Sequence, residues 1–171
     1  IMIGAAGPSR KAPDYTAAKL GNSVLGQFGM MGRIGDSVRN KAGLAYYAYS
    51  SLSSSIGPGP WYISAGVHPG NVERAIELIR AEIERFVNQP VSEQELEDSK
   101  SSYIGKLPLA LESNAGVSGA LLNLERYDLG LDYYQRYEEI IREVTPQSAL
   151  EAARHYLVPG QLAIATAGSE G

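Results

Sequence analysis

The sequence predicts an α+β domain whose mainly antiparallel sheet is covered on one side by helices. Two observations carry this. Strand-like segments stand at both ends of the chain and in an early hairpin, and from Asn71 the apolar period changes from two to that of a helix.

Ile1–Ala6 reads as a short buried strand and Gly7–Pro13 as a loop. Asp14 is placed to cap a helix that runs to Gly26, and Gly26–Gly29 reads as a loop before a second helix carrying Ile34, Val38 and Ala42 on one face. Two strands follow, Ala45–Ile56 and Trp61–His68, joined by the strong turn signal Gly57-Pro58-Gly59-Pro60. Trp61, Ile63, Ala65 and Val67 share one face of the second strand. Val72, Ile76, Ile79, Ile83 and Phe86 then form the clearest amphipathic helical stripe in the chain. Ser92 with Glu95 is a capping box and Val91 with Leu96 a hydrophobic staple, so a helix starts there; Pro108 predicts a kink or break near Leu107. Ser113 caps a helix carrying Val117, Leu121, Leu124 and Tyr127. Further helices are expected over Leu131–Val144 and, with Thr145 as cap and Pro146 at the first position, over Pro146–Leu157. Pro159-Gly160 turns the chain into a closing strand, Gln161–Ala167.

A length of 171 residues suits one domain with a real core, so residues 1–171 are read as a single domain. The net charge of −4, the scattered Arg and Lys, and the absence of any long apolar window exclude nucleic acid and a membrane span as first readings. A soluble protein of the cytoplasm or periplasm is the expectation. With no cysteine, disulfides and thiolate zinc sites are excluded. The start at Ile1, without an initiator methionine, leads us to expect an N-terminally truncated fragment of a longer chain.

The segment Arg39-Asn40-Lys41-Ala42-Gly43-Leu44-Ala45-Tyr46 places a permanent cation and a phenol on either side of a helix-to-strand corner. Arg39 and Lys41 sit in the last helical turn, where the dipole favours them, and Gly43 supplies the left-handed turn. The corner can turn the Arg39 guanidinium and the Tyr46 hydroxyl toward one point. Taken alone, both residues also have ordinary explanations: Arg39 pairing with a surface acid such as Asp36, and Tyr46 as one strand aromatic among Tyr47 and Tyr49.

At this corner the chain resembles the insulinase or pitrilysin family of zinc peptidases, which includes the mitochondrial processing peptidase. The resemblance is to the domain that does not carry the metal. There a segment Leu-x-x-x-Arg-x-Lys-x-Gly-Leu-Ala-Tyr recurs, met here at Arg39, Lys41, Gly43, Leu44, Ala45 and Tyr46. Ile3-Gly4, Asp14-Tyr15, Leu25-Gly26, Gly70-Asn71-Val72-Glu73, Leu111-Glu112-Ser113 and Val144-Thr145-Pro146 extend it over nearly the whole chain. The resemblance implies a processing-peptidase-like metallohydrolase fold. It also implies that Arg39 and Tyr46 bind substrate carbonyl oxygens, stabilising the transition state beside a zinc held elsewhere.

The family's zinc site is an HxxEH helix with a distant glutamate. His68, at a strand end, and His155, in a late helix, have no second histidine at ligand spacing, so no metal ligand is assigned to this chain. The resemblance therefore implies the substrate-binding, non-zinc half of a metalloendopeptidase. It would be inactive alone and would hydrolyse unfolded peptides in a chamber closed by an HxxEH-bearing domain or subunit that holds the zinc. Strand Tyr46–Ser55 could line that chamber and pair with a bound peptide, or be an ordinary strand. The alternative is a structural or peptide-binding relative without proteolysis, like the core proteins of respiratory complexes. Gly26–Gly32, with Met30 and Met31, is shorter than the glycine-rich loop of the processing peptidase's noncatalytic subunit.

Overall fold

Alternation along the second hairpin strand decides which face of the sheet holds the core. Trp61, Ile63 and Ala65 are fully buried, and the residues paired beside them, Ile3 on one side and Ala48 and Ser50 on the other, are buried on the same face. The computed structural model of the chain describes residues 1–27 and 32–168. Its strands are β1 (Met2–Ala6), β2 (Ala45–Leu52), β3 (Pro60–Val67) and β4 (Ala163–Ala165), all antiparallel in the order β2-β3-β1-β4. β2 is thus an edge strand.

Helix α1 (Tyr15–Gly26) runs across the buried face at β2, and α3 (Val72–Asn88) packs beside it through Ala75, Ile79, Ile83 and Phe86. Burial of each such large side chain contributes about 2 kcal/mol. The Phe86 ring meets Trp61 edge-on, with centroids 6.5 Å apart. Helix α7 (Pro146–Tyr156) closes the layer against α1 and α3 through Ala149, Ala152 and Ala153. An α+β architecture with helices on one side of an antiparallel sheet is therefore what the chain adopts.

The close approach of α1 to β2 has a specific chemistry. At Gly26 an added Cβ would lie 2.2 Å from the Ser50 backbone nitrogen, so only glycine lets the helix end touch the strand. One turn earlier, the buried Ser50 hydroxyl donates to Asn22 Oδ1 at 2.7 Å, satisfying two polar groups that the core would otherwise strand.

Helix starts follow the sequence closely. Ser92 and Glu95 form the capping box of α4 (Glu93–Ala110), Ser113 caps α5 (Asn114–Tyr127) through the Gly116 N–H, and Thr145 with Ser148 caps α7 behind Pro146. Asp14 does not cap α1. Its carboxylate is drawn instead to the other end of the fold, accepting from the Tyr156 hydroxyl at 2.9 Å and lying 3.2 Å from His155 Nδ1.

Other expectations are corrected. β1 is half-buried, with only Ile3 fully enclosed. The hairpin strands stop at Leu52 and resume at Pro60: the Ser53 N–H donates to Pro60 O across the turn, while Gly59 O accepts from the Gly7 N–H beyond β1 instead of from the facing strand. Helix α4 passes through Pro108 to Ala110: in the last turn, a missing N–H forfeits one bond and the helix tolerates it. Of the stripe on α5 only Leu124 is buried, while Val117 and Leu121 are exposed, since periodicity marks an apolar side without saying what covers it. Over Leu131–Val144 the helix is only α6 (Tyr137–Arg142). Asp128 and Gly130 take positive φ angles, and residues 131–136 wind as turns around a Tyr133, Tyr134 and Tyr137 cluster. The closing strand shrinks to three residues behind a single 3₁₀ turn at Pro159–Gln161. The loop expected over Gly26–Gly29 lies largely outside the described residues, as do Met30 and Met31; Gly26 itself ends α1.

Two stability tests follow from these contacts. Gly26→Ala forces a methyl group into the β2 backbone, and urea unfolding should show a loss of about 2 kcal/mol, typical of overpacking. Glu95, gripped by Arg33, has its carboxyl lowered from 4.5 to about 2. A carboxyl whose folded value is depressed contributes stability above its unfolded value, and that contribution disappears as pH falls from 4.5 toward 2. Glu95→Gln should therefore lower the thermal midpoint at pH 6 and flatten its decline between pH 4.5 and 2.

Candidate functional site

The corner between Arg39 and Tyr46 contains two backbone irregularities, one on each side of Gly43. Helix α2 (Gly32–Ile34) widens at once into a π-helical turn, Gly35–Lys41. The extra residue per turn keeps Ile34 and Val38 buried but rotates Ala42 out to solvent, so the expected three-residue face holds only two. The widened turn is bonded from the Ala42 N–H to Ser37 O at 3.3 Å and from the Leu44 N–H to Val38 O at 3.1 Å. Gly43 takes φ +65°, as the sequence indicates. An added Cβ there would meet nothing within 4 Å, so backbone strain alone requires the glycine.

Beyond Gly43 the pairing of β2 slips by one. Ala45 faces Val67 and Tyr47 faces Gly66, leaving Tyr46 as the extra residue of a β-bulge. Without the bulge, Tyr46 would share the inward face of Ala48 and Ser50. With it the side chain swings outward and is 87 % exposed. Tyr47, displaced alongside, lies across Gly66, where a Cβ would come within 2.5 Å of its ring.

Arg39 projects from the π turn half-buried, with no ion pair or side-chain hydrogen bond among the described residues. Asp36, the surface acid suggested for it, pairs instead with Lys41 at 2.6 Å. The corner thus presents a guanidinium with five N–H donors and a phenolic O–H, none of them committed among the described residues.

A clamp that the sequence alone did not reveal positions this turn. Arg33, in α2, donates two parallel bonds to Glu95, at 2.8 Å and 2.7 Å, while the same carboxylate accepts from the Ser92 N–H and hydroxyl in the α4 cap. The charge-assisted fork raises Arg33 and, more than any other contact, lowers Glu95. The only sequence signal was Glu95 in its capping box; nothing along the chain names its partner 62 residues away.

Neither histidine joins the corner. His68 Nδ1 accepts from the Gly70 N–H at 3.2 Å, and His155 stacks on Tyr156. Among the described residues no group of three or more His, Cys, Asp or Glu could hold a metal ion, and no helix is long and apolar enough to cross a membrane.

The profile of the peptidase M16 inactive domain matches residues 1–103, which include the whole corner. An uncharacterized zinc protease of Streptomyces coelicolor is 27% identical over 161 residues, covering 92% of this chain and 34% of its own. One of Bacillus subtilis is 31% identical over 123 residues, covering 72% of this chain and 29% of its own. Another Bacillus subtilis protein, 29% identical over 105 residues, covers 61% of this chain and 24% of its own and is named a probable inactive metalloprotease. The crystal structure of a peptidase M16 inactive domain from Pseudomonas fluorescens superposes with a TM-score of 0.86 at 28% identity, over 94% of this chain and 38% of that one. The chain therefore spans about a third of the length of the curated relatives it matches. With its α+β fold and its Arg39–Tyr46 corner, this chain belongs to the peptidase M16 inactive domain family, a branch of the zinc proteases.

Proposed function

We propose that this chain is the substrate-binding, non-zinc half of an M16 zinc endopeptidase, with Arg39 and Tyr46 as donors to the carbonyl oxygen of the scissile peptide. The observation that carries the reading is the paired irregularity at the corner. A π turn and a bulge, both departures from regular structure, leave one cation and one phenol uncommitted among the described residues, on either side of Gly43.

The chemistry follows from charge. When water attacks a peptide, negative charge develops on the carbonyl oxygen, and donors already aimed there lower the barrier. The Arg39 guanidinium offers N–H donors and no acceptor, and the Tyr46 phenol offers an O–H donor, so both can donate to the oxygen on which the charge develops. The attacking water would be activated by zinc on an HxxEH-bearing partner, either another domain of a longer chain or a separate subunit. β2 adds a second feature: its outer backbone edge, unpaired with any strand among the described residues, can pair with an extended peptide and lay it across the corner.

The relative named a probable inactive metalloprotease favours a second reading, in which the assembled protein binds peptides without cutting them. A partner that lacks HxxEH, with peptide binding retained, would select it.

The kinetic test uses the reconstituted pair. Arg39→Ala and Tyr46→Phe should each lower kcat by about 100-fold, the usual effect of removing one donor to an oxyanion, with zinc content unchanged. Near-parental turnover in both variants would sink the assignment. Gly43→Ala strains a left-handed residue by about 1 kcal/mol without steric contact, so it should lower turnover by disturbing the corner, while Gly43→Asn, which tolerates that φ, should be milder.

A further inference from the structure

The largest concentration of aromatic side chains lies far from the corner, around a cavity of about 420 Å3 between α1, the last turns of α4 and the 131–136 turns. Six tyrosines and three cations, Arg10, Lys19 and Lys106, line it, and no acidic residue does. Six residue steps along β2, about 20 Å of extended chain, lead from Tyr46 to Leu52, and the cavity begins beyond that end, at Ser54.

Two of these cations, Arg10 and Lys19, are held by π-faces rather than by carboxylates. The Arg10 guanidinium stacks 4.3 Å from the Tyr15 ring centroid and donates to the Tyr133 hydroxyl at 2.7 Å. Lys19 Nζ lies 4.6 Å from the Tyr103 centroid. Burial and the neighbouring Arg10 bring Lys19 down from 10.5 to about 8, whereas burial pushes Tyr103 up to about 12. The Tyr103 hydroxyl is therefore kept as a donor, and Arg10 and Lys19, two like charges, share a lining that holds no counter-charge. Ser54 Oγ, also on this lining, is buried with no hydrogen-bond partner among the described residues. Enclosing cations without an anion is costly, and rings offset only part of that cost.

We infer that this cavity is a binding site for a small multivalent oxyanion, a molecule bearing phosphate or several carboxylate groups, held by Arg10, Lys19 and Lys106 with tyrosine hydroxyls as further donors. A single carboxylate would leave most of the positive charge unbalanced, so two or more negative charges fit better. The volume exceeds that of one phosphate ion and leaves room for an organic body packed on the rings. This site is independent of the corner and of any zinc-bearing partner.

The test is calorimetric titration of the chain with inorganic phosphate and, separately, citrate, at ionic strength fixed with chloride. Saturable binding of one anion per chain is expected for one or both probes, and the stronger one identifies the oxyanion group. Lys19→Met keeps the packed stem and removes the charge. It should weaken binding at least tenfold while raising the thermal midpoint of the anion-free protein, a combination that simple loss of folding cannot produce. Lys106→Ala, at an exposed position, should weaken binding by about threefold. No saturable binding of either anion, or equal binding by the parent and Lys19→Met, would overturn the site.

Discussion

Helix α1 and strand β2 touch backbone to backbone at Gly26 and Ser50, and the position of the corner is set from that contact. The missing side chain at Gly26 fixes how near the helix end comes, and the Ser50–Asn22 hydrogen bond fixes its rotation. From there the chain has few ways to return to the start of β2. It takes a short helix pinned to α4 by the Arg33–Glu95 fork, then a π turn, a left-handed glycine and a bulge. The two irregularities are best understood together. One residue is added on each side of Gly43, and the outcome is a buried Val38, an exposed Tyr46 and an Arg39 left without a carboxylate among the described residues.

Much of this was legible in the residues. Caps at Ser92, Ser113 and Thr145 act within three residues of themselves, so local sequence determines them. Gly43 likewise declares its left-handed conformation by its place after a basic helical turn. What was not legible depends on distant groups. Asp14 has the right type and place for a cap, yet Tyr156 and His155, more than 140 residues away, take its carboxylate. The outward turn of Ala42 follows from the π winding, and winding is decided by how Val38 and Leu44 must pack rather than by the order of apolar residues. The Tyr46 bulge cannot be read from β2 alone either, because register exists only between two strands. Sequence therefore indicated which residues form the corner, while the backbone shape that exposes them came from tertiary contacts.

Two kinds of positive charge coexist in the domain. Arg33 is satisfied by a carboxylate and serves to hold the fold together. Arg10 and Lys19 are held on tyrosine faces, and Arg39 lies half-buried beside an exposed phenol. Charges already neutralised have no remaining capacity for a ligand, whereas those without a carboxylate retain it. This distinction separates the structural cations of the chain from the two places where binding is proposed. A demanding local geometry is thus kept in a member of the peptidase M16 inactive domain family that has no metal-ligand group among its described residues.

A structure of the assembled pair with an uncleaved peptide decides whether the corner reaches the scissile bond. The Arg39 guanidinium and the Tyr46 hydroxyl should both lie within about 3 Å of the scissile carbonyl oxygen. A peptide bound across the partner alone, with Arg39 and Tyr46 facing solvent, would contradict that placement.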